Sequence, residues 1–545
     1  MTPGRCDGLS RPASLPPCVL FEDEDLLVVN KPAGLNTHSP SPHAGEGIYE
    51  WLRHREARWG ALAIIHRLDK ETSGVLVLAK TPRANRSLTA QFTDRTVRKT
   101  YLLLTDRPAP GRAFTARGSI VRAGERYVIQ PARPGTDLAE TEFAPGPDPG
   151  PAVPAPGLSC LTARPRTGRT HQIRAQAAEA GFPILGDVLY GGTPAARVCL
   201  HAEGIAFQHP ATNEPAGFHA PVDFTADPRA ALRAALVNQG ETALWRACHG
   251  AADQEPGWYI DHLGEWLLSQ HEEPLDAARL GRLAAFAQAA EARGTAHKIL
   301  ARHVRGATPA TASPQPVTGT PPDGPFTVRE NGLQFELSFA EGYSVGIFPD
   351  QRDNRRRLLT GHVAAGFDLP PRPQVLNTFA YTCGFSVAAA ANGANTTSLD
   401  LSRKYLEWGR RNFALNHLDP ADHEFIYGDV FDWLRRWAKK GRRFDLILLD
   451  PPTFSHSRES GVFRARQDYG RLAAASLPRL NPGGVLFAST NAADWPPEDF
   501  LAVLEAAARD AGRRIVRSHY VPQPPDFPIH RAEPAYLKTV WLQLD

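Results

Sequence analysis

From Val19 to about Ala226, short apolar runs alternate with clusters of polar turn residues: "VLFEDEDLLVVNKPAGL", "ALAIIHRLD", "VLVLAK", "KTYLLLTD", "YVIQPA" and "LSCLTARP". Runs of this length bounded by turn residues predict strands. "PRANRSLTAQF" and "THQIRAQAAEAG" predict short helices, the second ending at Gly181. The expectation is an α+β domain over 19–226, after a loose tail over 1–18. The Pro/Gly-rich "EFAPGPDPGPAVPAPG" is read as a long hairpin loop inside it. A smaller unit follows over 227–304. It holds a helical run at Arg229–Asn238, strand-like "EWLLSQ" and helical "LDAARLGRLAAFAQAAEARG". It is read as a small α/β central domain. The Pro/Thr-rich stretch over 305–325 has few side chains that pack, and it predicts an extended linker.

Beyond Phe326 the rhythm changes. "QVLNTF", "NTTSLD", "FIYGD", "FDLILLD" and "GGVLFAST" read as strands. Between them "GFSVAAAANGA", "SRKYLEWGRRNFALN" and "VFDWLRRWAKK" read as helices. Alternation of this kind implies a parallel sheet with helices on both faces, an α/β Rossmann-like domain over 326–545.

Bulk properties narrow the partners little. The net charge of +3 does not demand a nucleic acid. Arg outnumbers Lys 52 to 9, a bias that fits phosphate recognition but is explained as well by a GC-rich coding sequence. The cysteines Cys6, Cys18, Cys160, Cys199, Cys248 and Cys383 form no CxxC pair, which argues against structural zinc and a disulfide framework. No apolar run approaches the ~18–20 residues that span a bilayer, and the amino terminus lacks the apolar core of a signal peptide. A cytoplasmic protein with no membrane or metal partner is expected.

The chemistry begins at "HRLDKETSG" (His66–Gly74), where Asp69 sits on a turn between two buried runs. With "VVNKPAGL", "RKTYLLL", "RTGRTHQIR", "GFPILGDVLYGG" and "LHAEGIAFQHP" it resembles the RluA-type pseudouridine synthases across nearly all of 19–226. That family isomerises uridine in RNA to pseudouridine without cofactor or metal. The resemblance implies that Asp69 is the catalytic carboxylate, as nucleophile or base beside the ribose. It implies that Tyr101 accepts a proton from the rotated base and packs on it. Arg174, with Arg169 as the fallback, would pair with Asp69 and keep it ionised. Arg67 would fill the space left by the extruded uridine. His66 and His171 are read as loop braces. Many members of this family carry a small RNA-binding domain ahead of the catalytic one; here a short tail precedes Val19.

In the last domain, "QVLNTFAYTCGFS" places a turn between a strand and a helix amino terminus, a geometry that cradles nucleotide-like ligands. Asp400 ends the next strand, 16 residues after Gly384, where a carboxylate can take both ribose hydroxyls. Asp429 ends the third, and "DPPTFSHS" follows the fourth with Asp450 and Phe454. With "GIFPDQRDNRRRL" and "SLDLSRKYLEWGRRNFALN" this set resembles class I S-adenosylmethionine-dependent methyltransferases of the RlmI/RlmK type, which act on large-subunit ribosomal RNA. "ACHGAADQEPGWYIDHLGEWLLSQ" resembles that family's central domain. The resemblance implies S-adenosylmethionine as cofactor, held by Asn377, Phe379, Tyr381, Gly384, Asp400 and Asp429. Asp450 is the catalytic candidate; Arg352 and Phe454 are candidates for substrate contact.

Making 5-methylcytosine requires a cysteine thiolate to activate the ring. "DPPTFSHSRESGVF" and "FASTNAADW" contain none, and a ring nitrogen needs only positioning. Guanine N7 is the expected target, with Phe454 stacked on the base and Asp450 orienting it. Cys383, where many relatives carry glycine, lacks glycine's freedom at positive φ, which would lower cofactor affinity. The expected whole is a fused RNA-modification enzyme acting on large-subunit rRNA, with tRNA an alternative for the first half. Two other readings stay open: one catalytic half beside an RNA-targeting module, or a ribosome-assembly factor that binds RNA without catalysis.

Overall fold

The computed structural model describes residues 15–545 apart from 46, 133–137, 148–156, 301–312, 321, 342–343 and 458–460. The chain divides into two compact units, and the division does not follow chain order. One comprises Met1–Ala33, Thr72–Leu78 and Arg86–Gly240; the other comprises Gly34–Glu71, Ala79–Asn85 and Glu241–Asp545.

The first unit is built on a mixed sheet. Its strand order is Val19–Glu22, Leu26–Lys31, Ser73–Ala79, Leu200–Gln208, Arg98–Thr105, Ser159–Pro165, Leu138–Pro145, Phe114–Ala123 and Arg126–Gln130. Ser73–Ala79 is buried at every position, as a near-continuous apolar run in a central strand should be. Leu138–Pro145 alternates buried and half-buried residues, the mark of a strand covered on one face. The helix Gln172–Glu179 lays Ile173 and Ala177 on a core of Leu103, Phe143, Leu161 and Phe182. Leu138–Pro145 and Ser159–Pro165 pair antiparallel, as the two arms of the expected hairpin, whose tip at 148–156 lies outside the described residues.

Two sequence boundaries move. The helix Pro228–Leu236, capped by the Asp227 carboxylate on Arg229 N–H, belongs to the first unit rather than to the central domain. The Cys18 N–H donates to Ala235 O at 2.9 Å, and Cys18 is buried, so the expected tail joins the fold by residue 18. Residues 1–14 lie outside the described residues.

In the second unit a five-stranded sheet runs Leu244–His249, Tyr259–Leu263, Trp266–His271, Gly294–Ile299 and Gln315–Gly319. The last strand corrects the expected linker. Gln315–Gly319 pairs antiparallel with Gly294–Ile299, and Thr318 Oγ1 lies 2.8 Å from Thr295 Oγ1. Proline is tolerated there because the strand is at the sheet edge, where a missing N–H leaves no ladder partner wanting. The linker residues 305–312 lie outside the described residues.

The larger sheet of this unit runs Glu424–Tyr427, Asn395–Asp400, Gln374–Thr378, Phe444–Leu449, Leu480–Thr490, Lys538–Leu544 and Ile515–Pro522. The first five strands are parallel; Lys538–Leu544 is antiparallel to both neighbours. Two apolar clusters, one around Leu434, Phe444, Tyr469 and Phe500 and one around Leu358, Val375, Phe385 and Trp541, pack on the sheet, as a doubly wound arrangement requires. Strand order reverses between Gln374–Thr378 and Phe444–Leu449, and ligands bind at such a switch point, outside the carboxyl ends of the strands. Among the described residues no helix is long and apolar enough to cross a membrane.

Candidate functional site

Asp69 lies half-buried on a loop in the second unit, and the backbone on both sides of it is tied down. Thr37 Oγ1 accepts the Leu68 N–H at 3.1 Å and donates to Leu68 O at 2.7 Å. The Gly34 N–H donates to Lys70 O at 2.8 Å. Residues 34–37, from the end of the "VVNKPAGL" motif and just beyond it, are therefore the seat of the loop that carries Asp69. Arg67 is exposed, with Nη1 3.3 Å from His38 Nε2.

The first unit holds the other synthase candidates. Tyr101 is half-buried on the strand Arg98–Thr105. Arg174 is 3% exposed on the helix Gln172–Glu179. Its Nε donates to Asp187 Oδ2 at 2.7 Å and its Nη2 to Asp187 Oδ1 at 2.8 Å, while Cζ stands 5.2 Å over the Tyr190 ring. Such a bidentate pair fixes the guanidinium plane. Asp187, within "GFPILGDVLYGG", thus holds Arg174, and the spacing of the two in sequence gave no sign of the pair. Arg169 is exposed, and its N–H donates to Gln172 Oε1 at 3.1 Å. His171 braces its loop as expected, with Nδ1 2.9 Å from the Tyr190 hydroxyl.

In the larger sheet the strand Gln374–Thr378 leads into a turn with three non-glycine residues in the left-handed region: Phe379 at φ 55°, Tyr381 at 49° and Cys383 at 64°. Each costs roughly 1 kcal/mol or more, so the turn must be held from outside. Asp400 Oδ2 accepts the Tyr381 N–H at 2.8 Å, and Asn412 Nδ2 donates to Thr382 O at 2.9 Å. Cys383 is fully buried, and the helix Arg403–Leu415 makes room for it through Gly409, where a Cβ would stand 2.3 Å from Cys383 Sγ. Gly409→Ala is expected to destabilise the protein by ~1–3 kcal/mol through this clash and to weaken cofactor binding. Urea unfolding and a cofactor titration measure the two effects.

Beside the turn lies an open cleft of about 410 Å³, part of it bulk solvent, with Phe379, Asp400, Leu401, Asp429, Val430 and Phe431 among its walls. Burial pushes the Asp400 carboxyl up to about 6, against the Tyr381 and Ser402 N–H groups that favour the anion. Asp429 also has a structural part. Its Oδ1 caps the helix Val430–Lys439, accepting Phe431 and Asp432 N–H at 2.9 and 3.1 Å, while its side chain still borders the cleft. Asn377 is 1% exposed; its Nδ2 donates to Ser386 Oγ at 2.9 Å, and its Oδ1 has no hydrogen-bond partner among the described residues. A buried acceptor without a partner is costly, and a ligand's N–H or ammonium would satisfy it. With Asp400 for hydroxyls, the amino terminus of the helix Gly384–Ala391 and apolar walls from Leu401 and Val430, the set suits an adenosyl amino acid such as S-adenosylmethionine.

Asp450 follows the strand Phe444–Leu449. Burial, reinforced by the nearby Asp350 carboxyl, pushes it up to about 6. Its loop is anchored by the Tyr469 hydroxyl, which lies 2.9 Å from Leu449 O and 3.0 Å from Ser489 O; the Ser489 N–H donates to that same hydroxyl at 2.9 Å. Gln351 Nε2 donates to Ser489 Oγ at 2.8 Å and sits 3.5 Å from both Asp450 oxygens. Phe454 is 57% exposed on the hairpin formed by Phe454–Ser457 and Gly461–Arg464, with the Arg464 guanidinium 5.9 Å over its ring.

Arg352 is not a substrate contact. It is 5% exposed and bound through Nη1 and Nη2 to Asp526 at 2.8 and 2.6 Å. Its guanidinium is committed to the fully buried Asp526 carboxylate. The motif "DQRDNRRRL" gave no local sign of it, since Asp526 lies 174 residues away.

The family model for RNA pseudouridylate synthase matches residues 25–179, and that for S-adenosylmethionine-dependent methyltransferase matches 267–542, just over half of the chain. A ribosomal RNA large subunit methyltransferase of Deinococcus radiodurans is 34% identical over 325 residues, covering 58% of this chain and 76% of that protein. Ribosomal RNA large subunit methyltransferase I of Aeromonas salmonicida is 33% identical over 311 residues, covering 56% and 75%. Ribosomal RNA large subunit methyltransferase K of Neisseria meningitidis is 35% identical over 193 residues, covering 35% of this chain and 52% of that protein. The chain belongs to the S-adenosylmethionine-dependent methyltransferase family and carries an RNA pseudouridylate synthase domain ahead of it, so that two RNA-modifying activities share one polypeptide.

Proposed function

We propose that the chain converts uridine to pseudouridine at Asp69 and methylates N7 of a guanine, both in large-subunit ribosomal RNA. The names of the relatives over the methyltransferase half support that RNA as substrate. In the synthase half, Asp69 stabilises or traps the electron-poor sugar carbon as the glycosidic bond breaks. Tyr101 receives a proton from the rotated base, Arg174 keeps Asp69 ionised, and Arg67 and Arg169 hold the RNA. The pinned Leu68 and Lys70 peptides support a carboxylate whose place is fixed before substrate arrives.

In the methyltransferase half, S-adenosylmethionine supplies an electrophilic methyl group when bound. Asn377, the 379–384 turn, Asp400 and Asp429 hold it; Phe454 stacks on the base and Asp450 orients the base edge. One observation carries the choice of N7. Cys383 is the cysteine nearest this chemistry in sequence, and burial pushes its thiol up to about 12, so it supplies no thiolate for attack on a cytosine ring. Guanine N7 carries its own lone pair and needs only alignment. The test is to incubate the full chain and S-adenosylmethionine with unmodified large-subunit RNA, then quantify nucleosides by mass spectrometry. Pseudouridine and 7-methylguanosine are expected; 5-methylcytidine as the methylated product overturns the assignment.

A further inference from the structure

We propose that the methyltransferase helix Arg352–Thr360 is a positioning element for pseudouridine formation: it seats the segment that carries Asp69. The proposal rests on the reading of Asp69 as the catalytic carboxylate. The helix sequence, "RDNRRRLLT", is among the most polar in the chain, yet Arg352 to Leu358 are all buried. Buried charges must be paired. Two of the arginines serve the helix's own body. Arg352 binds Asp526, and Arg355 binds Glu330 through Nε and Nη2 at 2.6 and 2.7 Å.

Asp353 and Arg356 turn elsewhere. Asp353 Oδ2 accepts the Trp51 Nε1–H at 3.0 Å; Arg356 Nη1 donates to Arg55 O at 2.7 Å, and Nη2 pairs with Glu56. These partners lie on Gly34–Glu71, a stretch inside the pseudouridylate synthase match. The seat extends beyond the helix. The Ala365 N–H donates to His54 Nδ1 at 3.2 Å, and the His54 ring lies 4.5 Å from His519. Trp51 itself is 4% exposed, with the Arg55 guanidinium 4.7 Å over its ring.

A continuous run of bonds leads from this seat to the catalytic loop. Trp51 lies within the short helix Ile48–Arg53, and Glu56 follows it. The Ile48 N–H donates to Asn36 O at 3.0 Å and the Tyr49 N–H to Thr37 O at 3.1 Å. Thr37 then holds both the N–H and the carbonyl of Leu68, the residue before Asp69. Tyr49 OH donates to Leu62 O at 3.0 Å and Arg53 Nε to Gly60 O at 3.1 Å, tying the returning strand to the same helix. Misplacement of a reacting group by about 1 Å can cost as much as 10²-fold in rate. A segment released from Asp353 and Arg356 has that freedom.

The test uses the full chain with Arg356→Met, with Trp51→Phe as a second variant that removes the indole donor and part of the buried ring, and with the exchanged pair Glu56→Arg, Arg356→Glu. Pseudouridine kcat and KM, S-adenosylmethionine affinity by titration, and hydrogen exchange at Leu68 N–H are measured for each. Arg356→Met is expected to lower pseudouridine kcat about tenfold with KM and cofactor affinity within twofold, and to speed Leu68 exchange. Trp51→Phe shifts both the same way, and the exchanged pair, which regains the ion pair but not the bond to Arg55 O, restores them in part. Unchanged kcat and unchanged Leu68 exchange in both single variants overturn the proposal. If the parent chain forms no pseudouridine, the reading of Asp69 fails by itself. Leu68 exchange alone then decides the coupling: faster exchange in Arg356→Met upholds the seat and unaltered exchange overturns it.

Discussion

Asp69→Asn stops pseudouridine formation, by at least about 10³-fold, the scale on which loss of a sole nucleophile or base is felt. The substitution changes one oxygen for an amide nitrogen and keeps the shape of the side chain. The contacts that hold the loop, Thr37 with Leu68 and Gly34 with Lys70, are made by backbone groups and the Thr37 hydroxyl, none of which it touches. Folding and methyl transfer are therefore expected to survive. The measurement is tritium release from uridine-labelled RNA, run beside methyl incorporation on the same preparation. Isomerisation at the parent rate in Asp69→Asn removes the basis for the synthase half of the proposed function.

Asp450→Asn is expected to lower methyl transfer by about 10²–10³-fold, the range found when one preorganised group aimed at the reacting centre is lost, while cofactor affinity holds. The parent enzyme adds an independent check through pH. Burial and the nearby Asp350 raise the Asp450 carboxyl to about 6, so its ionised form declines as pH falls through that value. An ionised acceptor orienting the base edge predicts kcat/KM for methylation that is flat above about pH 7 and falls close to tenfold per unit well below 6. Asp450→Asn removes that limb of the profile. A flat profile from about pH 5 to 8 in the parent, with the Asp450→Asn variant methylating at the same rate, assigns the residue a structural duty only.

What could be read from the sequence was what is local. The strand–helix alternation after Phe326 set the parallel sheet, and the tight spacing inside "HRLDKETSG", "NTFAYTCGFS" and "DPPTF" put Asp69, Gly384, Asp450 and Phe454 on loops or element ends that the fold provides. The misses share a cause in sequence distance. Arg352 has the composition of an RNA-binding residue, and only Asp526, far along the chain, shows it to be a core ion pair. Thr37 meets Leu68 across 31 residues, and nothing in "GLNTHSP" announces it. Gln315–Gly319 carries too little apolar surface to mark itself as a strand; its place comes from the open edge of Gly294–Ile299. Cys383 is the converse case. The strain anticipated at positive φ is present, and the accommodation lies in Gly409, a glycine inside a helix that propensity alone would count as a defect.

The pairing of Arg356 with Glu56 joins residues 300 positions apart, and this has a bearing on when the enzyme becomes competent during its own synthesis. At translation rates of roughly 5–20 residues per second, the partner of Glu56 leaves the ribosome roughly 15–60 s after it. Through that interval Trp51 and its neighbours have no docking surface, and the loop bearing Asp69 lacks its support. A nascent chain therefore leaves the loop bearing Asp69 without this support until synthesis has passed well into the methyltransferase match, which begins at residue 267.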